Sequence, residues 1–380
     1  MPQSAATPPT TWTQDAAYRY CERMARTHYE NFTVGSLLLP REKRRHVYAI
    51  YGYCRSVDDL GDEATSTLTP TLSQRELRRG APVCAPRAGQ THRSAPTSPD
   101  PASGSVTPLP EGEGPGVRAN NIDQATYRLA LLDWWQGELE ACYSGTPTHP
   151  VMVALKETSQ TFDIPPTPFL KLIEANRMDQ RIKRHPTYTG LLHYCDHSAN
   201  PVGHLFLYLF GYRDQERQRL ADATCTALQL TNFWQDVARD YQKGRIYLPQ
   251  EDMERFGYSE AELAQGVVND SFRRLLAFEV DRAMGLFREG AALVSMLKGP
   301  VKLDVALFTR GGVAVLDAIR RQDYDVLTKR PALSRARKAA LFTSTWLAGN
   351  LGLGMGLPRH SREKAASKPE PRTPDQGGPP

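Results

Sequence analysis

Two aspartate pairs constrain this chain more than any other feature. One lies in YGYCRSVDDLGDE, residues 51–63, and the other in QLTNFWQDVARDYQKGRIYLP, residues 229–249. Asp58 and Asp62 stand four apart, as do Asp236 and Asp240. On an α-helix that spacing puts both carboxylates on one face, a turn apart. Like charges so placed destabilise the helix unless a cation lies between them. The stripes run further: Tyr51, Arg55, Asp58 and Asp62 share one face, and Gln229, Asn232, Asp236 and Asp240 share another. Leu228, Leu230, Phe233, Trp234 and Val237 surround the second stripe. A polar stripe on an apolar helix points to a lined cavity. The competing reading is two solvated acidic faces, with Arg55 and Arg239 as ion-pair partners. Either pair alone suits that reading. Two pairs, each with Arg and Tyr nearby, better suit facing helices that hold Mg2+ against a diphosphate.

The fold class expected is all-α, because no stretch sustains the two-residue alternation of a strand. Helical periodicity predicts helices over 13–28, 40–62, 122–143, 151–162, 168–182, 187–210, 214–241, 270–297, 301–327 and 334–349. Thr13, Asp214 and Asp270 are suited to cap, and Pro168 suits a first helical turn. Residues 80–120 are dense in Pro, Gly, Ser and Thr and nearly lack large apolar side chains. Burial there cannot offset ordering entropy, so a disordered insertion is expected; the alternative is a regulatory or partner-binding loop. Residues 1–12 and 356–380 are expected to be disordered, leaving one domain over 13–355.

The chain has 380 residues, 40% hydrophobic and 23% charged, with a net charge of +5. No nucleic-acid motif accompanies that charge, which is compatible with loose attraction to an anionic membrane surface. The six cysteines are scattered without a CxxC, and residues 1–21 lack the pattern of a signal peptide. A cytoplasmic setting with free thiols is expected, peripheral contact with the inner membrane face remaining open. The nearest approach to a membrane span, residues 339–357, is broken by Thr343, Ser344, Thr345, Asn350 and glycines, and reads as a final packing helix. His193 and His197 have zinc-compatible spacing, with Cys195 between them, but no fourth ligand is evident. No Gly-rich nucleotide loop stands out. The Gly311–Gly312 pair reads as a close helix contact, and no NADPH requirement is expected.

At these motifs the sequence resembles the squalene/phytoene synthase family. HYENF at residues 28–32 is similar to the family's HSxSF segment, YCDHSANPVG at 194–203 to its YCxxVAGxVG segment, and LDAIRRQDYDVLTKR, ending at Arg330, to its C-terminal helix. The resemblance runs from about residue 17 to 338, outside the insertion. It implies a single isoprenoid-synthase bundle with a central cavity. HYENF, DDLGDE and LTNFWQDVARDY with GRIYLP look like the hopanoid-associated hydroxysqualene synthase branch. That branch implies Mg2+-dependent conversion of presqualene diphosphate and water to hydroxysqualene, and association with other hopanoid-pathway enzymes. The alternatives are condensation of two farnesyl diphosphates to presqualene diphosphate or squalene, phytoene synthesis, or a noncatalytic scaffold. Two positions depart from the family: Gln235 replaces the Arg of NxLRD, and Gly312 aligns where a Tyr is frequent. Loss of that Arg suggests one diphosphate contact fewer.

Asp58, Asp62, Asp236 and Asp240 are the proposed Mg2+ ligands, with Asp59 a ligand or an acceptor behind them. Arg55 and Arg245 are candidates to grip phosphate oxygens; Arg55 has the alternative of balancing Asp59 and Asp62. Tyr51, Tyr194, Phe32 and Tyr247 are candidate aromatic walls for a carbocation, core packing being the better reading of Phe32. Ser198, Ala199, Val202 and Gly203 would let a helix wall approach the isoprenoid chain. His28 and Arg330 join the substrate contacts through the matched segments. Gln229, Asn232 and Tyr194 could each hold the reacting water, and the sequence does not choose among them.

Overall fold

The computed structural model describes residues 12–27, 40–62 and 123–351. The expected insertion, His28, Phe32 and both predicted disordered ends beyond residues 12 and 351 lie outside the described residues. Among the described residues the regular elements are helices: α1 Gln14–Thr27, α2 Arg41–Asp62, α3 Gln124–Ser144, α4 Pro150–Phe162, α5 Thr167–Arg181, α6 Tyr188–Ser198, α7 Asn200–Leu209, α8 Gln215–Gln242, α9 Gln250–Phe256, α10 Glu260–Ala264, α11 Asp270–Gly290, α12 Ala292–Met296, α13 Pro300–Arg321 and α14 Arg335–Asn350. The all-α expectation holds.

Local chemistry sets most of the boundaries. The Asp214 side chain accepts from Arg217 N at 3.0 Å and starts α8, and Ser334 starts α14 in the same way. Three expectations need correction. The helix predicted over 187–210 is two, α6 and α7, parted at Ala199: Pro201 has no N–H to continue the ladder. The helix predicted over 270–297 is α11 and α12, and Asn269 caps it in place of Asp270, accepting from Phe272 N at 2.9 Å. The helix predicted over 301–327 ends at Arg321, where Asp323 and Tyr324 take positive φ. Two short helices, α9 and α10, were absent from the expectation, although Ser259 and Glu262 form a complete capping box on α10.

The helices form two packed groups. α1 to α5 enclose one core around Tyr53, Trp135, Met152, Leu155 and Phe169. α8, α11 and α13 enclose another around Trp234, Phe272, Leu275, Leu276 and Phe287. α7 packs against both α2 and α8, so it joins the helices that carry the two aspartate motifs. Gly203 makes the α7–α8 approach close: a Cβ there would lie 2.7 Å from Cys225 Sγ. Gly312 plays a similar part between α13 and α11, where a Cβ would meet the Phe287 ring at 2.3 Å and Leu228 at 2.9 Å. The Phe287 ring therefore fills the place that a larger residue at 312 would need.

One buried charge works against the fold. Asp304 on α13 is 1% exposed, and neither carboxylate oxygen has a hydrogen-bond partner. It lies beside the third apolar cluster, which contains Val301, Val305 and Ala306. Burial pushes its carboxyl up to about 7. The folded state thus holds this proton while the unfolded chain releases it, so its contribution is full at low pH and is lost as pH rises towards 7. Asp304→Asn is expected to stabilise the protein by about 2 kcal/mol at pH 8 and to have little effect at pH 4. Urea melts at the two pH values check this.

Candidate active site

The second motif is shaped by how α8 ends. Gly244 takes φ +78 just past the helix, its N–H reaches the Tyr241 carbonyl, and Arg245 N–H reaches the Asp240 carbonyl at 2.9 Å. These two bonds form a Schellman termination, which needs a residue tolerant of the left-handed region. The chain then runs extended beside residues 183–185, with Ile246 N bonded to the Lys183 carbonyl at 2.9 Å. Extended backbone alternates its side chains, so Ile246 is buried while Arg245 and Tyr247 project to the other side. This is the physical content of GRIYLP.

Arg245 connects the two halves. Its Nη2 lies 2.5 Å from Asp62 Oδ1 and 4.0 Å from Asp179 Oδ2. Its backbone is held by Asp240, so one residue links the end of α8 to the first motif on α2. Burial acts to raise the Asp62 carboxyl, but the Arg245 guanidinium outweighs it and holds the group below its ordinary value. On α8, Arg330 forks onto Asp236, Nε at 2.6 Å from Oδ1 and Nη2 at 2.8 Å from Oδ2. Asp236 itself leaves helical geometry, with φ −110 and ψ 17.

The other two motif carboxylates, Asp58 and Asp240, are less well neutralised. The Asp58 side chain keeps access to solvent, yet protein packed around its carboxyl raises it to about 7, against one hydrogen bond donated by the Asn176 side-chain amide at 3.3 Å. Burial, then the neighbouring Asp236, raises Asp240 to about 7. Gly61 allows the Asn176 contact: a Cβ at 61 would lie 2.2 Å from Asn176 Oδ1. A cavity of about 450 Å³ opens beside the second motif, lined by Asn232, Phe233, Asp236, Arg239, Asp240 and Tyr247 among others. The Phe233 and Tyr247 rings stack at 3.7 Å and form its aromatic side.

Several readings change in three dimensions. Arg55 pairs with Asp59 at 2.6 Å along α2, in keeping with the balancing alternative for Arg55 and the acceptor alternative for Asp59. Gly203 faces α8, so its smallness serves helix packing; Ala199 is buried, Ser198 half-buried, and Val202 39% exposed. Tyr51 and Gln229 are half-buried on their motif helices. Gln235 is buried and bonds Arg330 and the Pro331 carbonyl, which places its side chain against the 330–331 segment. His193 and His197 meet edge to face at 4.6 Å between ring centroids, and among the described residues no three His, Cys, Asp or Glu side chains converge as a metal cage.

Asp179 on α5 is the group that sequence reasoning missed. It is buried, accepts a hydrogen bond from Tyr194 Oη at 3.0 Å, and faces Arg245. Burial raises its carboxyl to about 6. The signal was present: Leu172, Asn176, Asp179 and Lys183 follow the same i, i+4, i+7, i+11 rhythm as the first aspartate stripe.

Comparison with known proteins settles the lineage. The squalene/phytoene synthase family model matches residues 25–95 and 117–337. The chain belongs to the squalene/phytoene synthase family. A 15-cis-phytoene synthase of Synechocystis sp. is 30% identical over 350 residues, covering 88% of this chain and 85% of that protein. The crystal structure of squalene synthase HpnC from Alicyclobacillus acidocaldarius is 38% identical, with a TM-score of 0.64 over 82% of this chain and 95% of that one. A dehydrosqualene synthase structure, 24% identical with a TM-score of 0.65, shares the fold over 88% of this chain and 98% of that one. Squalene/phytoene synthases act on isoprenoid diphosphates and generally use a divalent metal such as Mg2+. The donors here fit that ion. Mg2+ keeps waters and takes one or two carboxylates plus phosphate oxygens, so it needs no all-protein cage. The Asp58 and Asp240 carboxyls, both raised to about 7, are groups that such a cation would neutralise.

Proposed function

We propose that the protein converts presqualene diphosphate and water to hydroxysqualene and diphosphate, with Asp58, Asp62, Asp236 and Asp240 as Mg2+ ligands. The observation that carries this reading is the 38% identity to squalene synthase HpnC over most of both chains. Bound Mg2+ neutralises the diphosphate and eases its departure. Arg245 and Arg330 supply guanidinium forks matched to phosphate oxygens. The carbon–oxygen bond to diphosphate breaks, the diphosphate takes the electron pair, and a carbocation remains. The faces of Phe233 and Tyr247 stabilise it by cation–π attraction, with Tyr194 behind them at 6.2 and 5.9 Å between ring centroids. Water oxygen then bonds to carbon, and its released proton passes to the departed diphosphate. Asn232 lines this cavity and is our candidate to orient that water; Gln229 lies along the same stripe.

No helix among the described residues is long and apolar enough to cross a membrane. Peripheral contact is proposed for α14, where Trp346 and Leu347 are each 49% exposed, with a cytoplasmic location and access to other hopanoid-pathway enzymes.

The likeness to phytoene synthases favours a second reading, head-to-head condensation of two prenyl diphosphates. Purified protein with Mg2+ and presqualene diphosphate in H2(18)O is expected to yield (18)O-labelled hydroxysqualene without NADPH. Condensation products from farnesyl or geranylgeranyl diphosphate, with presqualene diphosphate left intact, would instead establish the second reading. Squalene formed only on adding NADPH would overturn the cofactor expectation.

A further inference from the structure

One aspartate of each motif is already occupied by arginine. Asp62 receives Arg245 on both oxygens, at 2.5 and 3.3 Å, and Asp236 receives Arg330 on both, at 2.6 and 2.8 Å. Charge-assisted forks of this kind are among the stronger hydrogen-bonded pairs. A cation arriving alone at Asp236 must displace the fork and leave a guanidinium without its carboxylate. A diphosphate arriving with the cation offers that guanidinium equivalent oxygens, so the exchange costs little.

Gln235 decides where Arg330 waits. It is 8% exposed, at the centre of the contact. Its Nε2 donates to the Pro331 carbonyl at 2.5 Å, and its Oε1 accepts from Arg330 Nη2 at 3.1 Å. The first bond fixes the backbone that follows Arg330, and the second holds one nitrogen of the guanidinium itself. The same Nη2 also bonds Asp236, so the guanidinium can leave the carboxylate while Gln235 keeps hold of it. An arginine at 235, with no acceptor, could not do this.

We infer that Gln235 is a positioning residue that parks Arg330 on Asp236, so that the second motif takes up a divalent cation tightly only together with a diphosphate. The inference rests on the diphosphate reading of this site, though not on which isoprenoid is attached.

The test is calorimetric titration of the full chain with Mg2+, with and without saturating inorganic pyrophosphate. Wild type is expected to bind Mg2+ at least about tenfold tighter when pyrophosphate is present, a coupling within the ordinary range between sites. Arg330→Ala, at a half-exposed position, is expected to bind Mg2+ alone more tightly and to lose most of the coupling. Gln235→Ala is expected to lower the coupling in the same direction, and Gln235→Glu, which restores an acceptor for Arg330, to recover part of it. A purely structural role for Gln235 would lower the melting temperature of both variants and leave the coupling ratio at the wild-type value, which overturns the inference. Equal Mg2+ affinity in wild type with and without pyrophosphate also overturns it. If wild type shows the coupling yet forms no hydroxysqualene, the substrate reading falls and this inference stands.

Discussion

Asp58→Asn and Asp236→Asn are each expected to lower turnover at least about a thousandfold, with the helical circular-dichroism signal unchanged. That loss matches the several kcal/mol that a metal supplies to a departing charged group. The two variants should part company in stability. Asp58 is a carboxylate that the protein around it raises to about 7, though its side chain keeps access to solvent, so a neutral amide relieves a modestly unfavourable charge. Its melting temperature at pH 8 is expected to equal or exceed that of wild type, as befits a site that trades stability for function. Asp236 is different, because its charge receives the Arg330 fork; its loss leaves that arginine half served. Turnover within tenfold of wild type in both variants would remove the proposed magnesium ligands.

Arg282→Met is expected to destabilise the fold by about 3–5 kcal/mol, the usual cost of removing one partner from a buried ionic group. Arg282 on α11 lies between the Tyr188 and Phe278 rings, 4.1 Å from each centroid. It donates to Asp252 at 2.6 Å and approaches Glu279 at 3.3 Å. Asp252 and Glu279 are almost wholly inaccessible to water. Burial, opposed by Arg282, raises Glu279 to about 8 from 4.5. The folded protein therefore keeps that proton up to about pH 8, while the unfolded chain gives it up near 4.5. This group's contribution is full below about pH 4.5 and declines as pH climbs to 8. Glu279→Gln should flatten that decline, whereas Arg282→Met should unfold at lower urea across the whole range. An unchanged urea midpoint in Arg282→Met would show that the cluster is not under the strain its burial implies.

The helical architecture was legible because long amphipathic segments repeat their pattern many times, and side chains such as Asp214 and Ser334 mark starts within one turn. Short elements lack that redundancy. α9 and α10 offer too few residues for a period to show, and the apolar rhythm on both sides of Pro201 hid a break that the proline itself announces. The aspartate motifs were visible for the same reason as the helices: their spacing is helical. Their arginine partners could not be read this way. Arg245 lies 183 positions from Asp62, and Arg330 lies 94 from Asp236. Gln235 reads in sequence as one diphosphate contact fewer, and its bond to the Pro331 carbonyl adds a tertiary role that its position alone does not reveal. Asp179 was legible but overlooked, since a polar residue on a buried helix face carries the same message with or without a twin.

The break in α8 at Asp236 has a consequence for ion choice. α2 runs from Arg41 to Asp62 as one unbroken helix, so the spread of Asp58 and Asp62 follows ordinary helical rise. Asp236, in contrast, sits in the sparsely populated bridge region between helical and extended backbone. The gap between Asp236 and Asp240 therefore depends on a torsion at a single residue. If Asp236 and Asp240 hold the ion as proposed, a somewhat larger cation such as manganese is expected to be accommodated through that torsion, with Trp234 left in its packing.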